Sequence, residues 1–124
     1  MSYPEMCFAA ERTGAIELRR DDVDVVFNRE GEKIIPMTDI YDAISTGEYA
    51  RAWTCEELWG MLGPEGHSQF CFQPIPNALG CALSYPVKNF SKVQYHASLV
   101  EALLFAVMYE RGWLWDGKEF KEEK

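Results

Sequence analysis

The sequence predicts an α+β fold in which an antiparallel sheet, a hairpin plus a meander, packs against two or three helices, the longest at about 98–111. Three observations carry this. Two Ser/Thr-x-x-Glu patterns, Thr54 with Glu57 and Ser98 with Glu101, mark helix starts at which each side chain serves a backbone N–H. Three strand-like runs at 69–73, 79–85 and 92–96 are separated only by short Pro- and Asn-bearing links, too short for crossover helices. Val23, Val25 and Phe27 alternate with polar residues ahead of a turn sequence, Asn28-Arg29-Glu30-Gly31-Glu32.

In chain order, residues 1–22 fit a short helix or an irregular arm, apolar over 6–10 and mostly charged over 17–22. Val23 to Phe27 makes the first strand, with Val23, Val25 and Phe27 on one face. Gly31 supplies the positive φ of the turn, and 33–37 returns antiparallel. Thr38 or Asp39 caps a short helix with Ile40, Ala43 and Ile44 on one face, stopped by Gly47. The Thr54 helix has Trp53 and Leu58 at the spacing of a hydrophobic staple, and Gly63-Pro64 ends it after about two turns. After the meander, the Ser98 helix is apolar on nearly every side, which requires cover all round and places it at the centre of the molecule. Gly112 closes it, and a Schellman-type end folds Trp113 back onto the last turn; if the chain is extended there, Trp115 shares its face and Leu114 takes the other.

At 124 residues the chain is expected to form a single domain, 1–124, with one core. Its hydrophobic fraction of 48% is enough to offset the entropy of ordering. The formal charge of −8 and the scattered Arg and Lys argue against direct nucleic acid binding, which calls for a basic stripe. No apolar run approaches the length of a membrane span and no export signal opens the sequence, so a cytoplasmic location with reduced thiols is expected.

The candidate catalytic residues are Cys55, His67 and Cys71: a thiolate beside a base is the arrangement that nucleophilic catalysis needs. Against this, no G-x-S-x-G, H-E-x-x-H, P-loop or G-x-G-x-x-G motif occurs. Cys71 between Phe70 and Phe72, and Cys81 between Gly80 and Ala82, read as small buried hydrophobes. The set Cys55, His67, Cys71 and Cys81 lacks the C-x-x-C knuckle of a zinc site, so neither a metal nor any other cofactor is expected. His96 falls at the corner between the last meander strand and the Ser98 helix and is expected to close it by a hydrogen bond.

Four tryptophans, Trp53, Trp59, Trp113 and Trp115, are many for this length, and Trp is enriched in protein interfaces. Trp59 and Trp115 are the candidate interaction surface; Leu58 and Leu62 define the buried stripe of the Thr54 helix and leave Trp59 outside it. The acidic residues Asp21, Asp22 and Asp24, and Glu56 with Glu57, raise the further idea of an inhibitor that mimics nucleic acid. Glu56 and Glu57 are equally served by the dipole of the helix they open.

The stretch from Ala52 through Trp53-Thr54-Cys55-Glu56-Glu57-Leu58 to Leu62, the strands after it, and Ser98-Leu99-Val100-Glu101-Ala102-Leu103-Leu104 through Gly112-Trp113 resemble a family of small uncharacterised proteins of Bacteroidetes genomes and their phages and mobile elements. That pattern is a W-[ST]-x-x-x-L-x-x-x-L helix, strands, and an E-A-L-rich helix ending near a glycine. The resemblance covers about the last 75 residues, and Gly63 stands where the pattern has proline. It implies a bacterial or phage origin and an α+β fold, and it assigns no activity. The leading expectation is a non-enzymatic accessory protein that binds a protein partner or itself. The alternatives are a small thiol-dependent or hydrolase-like enzyme and the acidic inhibitor.

Overall fold

In the computed structural model, which describes residues 3–18, 24–75, 80–88 and 90–122, the chain opens with α1 (Tyr3–Thr13) and continues through β1 (Val26–Phe27), β2 (Lys33–Ile34), α2 (Tyr41–Ser45) and β3 (Ala50–Arg51). There follow α3 (Cys55–Met61), α4 (Pro64–Gln69), the meander β4 (Cys71–Pro74), β5 (Cys81–Val87) and β6 (Phe90–His96), α5 (Leu99–Glu110), and the strands β7 (Trp113–Trp115) and β8 (Phe120–Glu122). The fold is α+β, with small antiparallel sheets ordered β2-β1-β3, β4-β5-β6 and β7-β8. Among the described residues no helix is long and apolar enough to cross a membrane.

The centre is α5, as its all-round apolar sequence requires. Residues 101–108 are all buried, among sheet β4-β5-β6, α1, α3 and β7. Ser98 Oγ accepts from Glu101 N–H at 3.3 Å, but the Glu101 carboxylate reaches past the cap and accepts from Ala97 N–H at 2.9 Å. That bond closes the corner expected of His96. The His96 ring instead packs on Phe105 at 5.2 Å between centroids, and its buried Nε2 has no hydrogen-bond partner among the described residues. Burial accordingly pushes the His96 pKa down. The far end of α5 stops at Gly112, whose φ of 89° lets its N–H reach the Tyr109 carbonyl; Tyr109 Oη donates to the Pro86 carbonyl of β5 at 2.8 Å.

The N-terminal half departs more from expectation. The strand expected over 33–37 pairs only at Lys33 and Ile34, because Pro36 has no N–H to offer a ladder, and Met37 is 94% exposed. On the preceding strand Val26 and Phe27 are both buried rather than alternating, since β1 is the middle strand between β2 and β3; Val23 lies outside the described residues. The helix expected from Thr38 or Asp39 starts at Tyr41, whose N–H is accepted by Asp39 Oδ1, and Gly47 stops it at a φ of 87°. Gly63-Pro64 ends α3 as expected but also opens α4 with proline in its first turn, so His67 sits on a helix rather than in a loop. The extended chain that sets Trp113 and Trp115 on one face is β7, whereas β3 and β8 answer to no element of the sequence reading.

What fixes α1 is a buried ion pair. Arg51 is 2% exposed, and its Nε and Nη2 donate to the two Glu11 carboxylate oxygens at 2.9 and 2.6 Å. Nη2 also donates to the Ile16 carbonyl and Nη1 to the Glu17 carbonyl, while the guanidinium carbon lies 4.6 Å from the centre of the Trp53 ring. Each guanidinium nitrogen is thereby engaged within the fold. Tyr3 Oη donates to the Trp53 carbonyl at 2.7 Å beside the buried Cys7 thiol, and desolvation raises the pKa of both groups, Cys7 to about 12.

Candidate functional site

The capping box at Thr54 is complete: Thr54 Oγ1 accepts from Glu57 N–H at 3.2 Å and Glu57 Oε1 accepts from Thr54 N–H at 3.0 Å. This sets the rotation of α3. Leu58 and, at its C-cap, Leu62 turn inward and are buried, while Cys55 and Trp59, four residues apart, share a face on the outside. That face, β4 and the first turns of α5 wall a groove of about 680 Å³. Its apolar lining comes from Trp59, Phe70, Phe72, Leu99 and Leu103, and its polar lining from Glu56, Ser68 and the two thiols of Cys55 and Cys71.

Trp59 is 44% exposed and held by aromatic contacts on two sides. The His67 ring stacks on it with centroids 4.1 Å apart and planes 9° from parallel, and Phe72 meets it edge-on at 6.2 Å. Nε2 of His67 lies 2.8 Å from the Trp59 carbonyl oxygen; an oxygen there only accepts, so Nε2 carries the proton and donates. On the other side of α4 the Glu110 carboxylate lies close over Gly66 and accepts from Gly63 N–H at 3.3 Å, so a Cβ at 66 would require that side chain to move.

The structure therefore brings Cys55, Cys71 and Trp59 to one groove, whose lining does not include His67. No hydrogen bond joins His67 to Cys55 or Cys71 among the described residues, and the imidazole spends one nitrogen on a backbone carbonyl. Both thiols are exposed. For Cys71 this corrects the sequence reading: β4 is an edge strand, and Phe72 rather than Cys71 packs against the core. Cys81, on the central strand, is buried as expected. Among the described residues no three His, Cys, Asp or Glu side chains gather as metal ligands. Trp115 stands apart from the groove, half-buried on the β7–β8 hairpin against Phe120 at 4.8 Å. Asp24 lines a separate hollow with Lys33 and Arg51, and Asp21 and Asp22 lie outside the described residues.

Sequence reasoning missed Phe72, Leu99 and Leu103 as groove residues. The available signal was that Leu99 follows an N-cap directly, where a helix is least covered by its own turns. Compared with protein-family models, curated proteins and solved structures, the chain matches none.

Proposed function

We propose that this chain is a non-enzymatic binding protein whose α3–β4–α5 groove receives an apolar segment of a protein partner, with basic residues of that segment beside Glu56. The observation that carries the reading is the groove itself. Its volume and its mostly apolar, aromatic walls with a few polar groups are those of a recognition pocket, and Trp59 is the kind of half-exposed, braced aromatic that anchors interfaces. The formal charge of −8 and Glu56 at the rim favour a basic partner by complementarity. A thiol-dependent activity has less support, because among the described residues no hydrogen bond joins Cys55 or Cys71 to a base, and His67 bonds and stacks on Trp59.

The reading includes a reducing cytoplasm, where the exposed thiols stay free, and an accessory role in a bacterial genome or mobile element, the origin implied by the family resemblance. Selection of a random displayed peptide library on the full chain tests it. Enriched peptides should share two or more large apolar residues next to Lys or Arg, and Trp59→Ala should abolish their binding while leaving the circular dichroism spectrum unchanged. Absence of enrichment, or enrichment indifferent to Trp59→Ala and Leu99→Ser, would overturn the reading.

A further inference from the structure

The sheet edges of this molecule are not treated alike. Strand β2 has two residues and is followed at once by Ile35-Pro36, and β4 has four and ends in Pro74; short length and proline are the usual protections of an open edge. Strand β6 has neither. It runs seven residues, Phe90-Ser91-Lys92-Val93-Gln94-Tyr95-His96, pairs only with β5 among the described residues, and offers its outward N–H and C=O groups no ladder partner there. Its side chains add apolar surface, Val93 being 52% and Tyr95 74% exposed, with Phe90 exposed at the start of the strand.

Charge marks the whole meander, and within it β6 is the edge left without proline or short length to protect it. Residues 66–100 contain no Asp or Glu, so all 20 acidic residues of the chain lie elsewhere. Two copies of a chain with formal charge −8 repel each other over most of their surfaces, and least where carboxylates are absent.

We infer that β6 is a homodimerisation edge: β6 of one copy pairs antiparallel with β6 of a second about a two-fold axis through Val93, joining the two meanders into one six-stranded sheet. The register is dictated by the strand. Only a centre at Val93 pairs all seven residues, and it sets Val93 against the partner's Val93, Tyr95 against the partner's Ser91, and Phe90 against the partner's His96. Large residues thus face small or planar ones. Lys92, the one charge that would otherwise blunt this edge, falls opposite the partner's Gln94 rather than another lysine. A closed two-fold pair leaves β4 as the outer edge on both sides, where Pro74 ends the strand. The inference does not depend on the groove, which lies along the opposite edge of the sheet.

Sedimentation of the full chain across a micromolar-to-millimolar series, with hydrogen exchange on the same samples, tests it. The expected result is a monomer–dimer equilibrium in which amides of 90–96 gain protection with concentration while those of 71–74 do not. Val93→Lys puts like charges face to face on the axis and should weaken dimerisation at least about tenfold. Val93→Glu should do the same, and an equimolar mixture of the two variants should restore the dimer. A chain that stays monomeric, the behaviour expected if a different, acidic partner covers this edge, overturns the inference. So does a dimer without concentration-dependent protection of 90–96, a reading on the unmodified chain that holds even if a variant fails to fold.

Discussion

Two seams of this molecule are closed by different physics. Around α5 the contacts are apolar and many: Leu104, Phe105, Val107 and Met108 are fully buried, and no one of them is specified by direction. Between α1 and β3 a single guanidinium joins Glu11, Ile16, Glu17 and Trp53 through short, oriented bonds. The apolar seam tolerates volume-conserving change, whereas the polar seam fails if either charge is left without its partner.

The sharpest way to break the comparison is Glu11→Ala, which strands a buried Arg51. It should cost about 3–5 kcal/mol by chemical denaturation, and a loss under about 1 kcal/mol would mean that the apolar contacts of α1 suffice. Replacing both charges, Glu11→Leu with Arg51→Met, should recover most of that loss, since well-packed hydrophobes often equal a buried ion pair. On the apolar side, Leu104→Ala should cost about 2–5 kcal/mol through lost burial and the cavity left behind.

Alkali separates the seams without mutation. The folded state holds the Cys7 proton up to about pH 12 while the unfolded thiol ionises near its ordinary value of 9.0, so between those limits the unfolded state binds fewer protons and stability falls as pH rises. Tyr3, raised by the same burial, adds to the fall. The loss should reach on the order of a few kcal/mol and be smaller in Cys7→Ala, as followed by urea midpoints from pH 8 upward. The smallest effect is Thr54→Ala, about 1 kcal/mol from the lost cap; a markedly larger cost would make the rotation of α3, and with it the groove, more dependent on that hydroxyl than capping alone allows.

The same contrast explains what the sequence disclosed. Elements that declare themselves by pattern were legible: the Thr54 cap, the meander, the centrality of α5, and the exposure of Trp59 outside the Leu58–Leu62 stripe. Strand β3 was not, because Ala50 and Arg51 have no periodicity to display and a buried arginine looks like a solvated one until its carboxylate, 40 residues away, is found. The groove was half legible. Trp59 and the two thiols were singled out, but their meeting with Leu99 and Leu103 depends on how α5 crosses α3, and the idle position of His67 follows from α4, a helix that Gly63 and Pro64 conceal.

The span between Glu11 and Arg51 also sets a timetable. During synthesis α1 is made before Arg51 and Trp53, so the partners that latch and cover Met6, Cys7, Ala9 and Ala10 come later in the chain. A chain cut short before Arg51 carries the apolar residues of α1 without the guanidinium and the Trp53 carbonyl that hold them, and only one that runs past Trp53 has both halves of the latch.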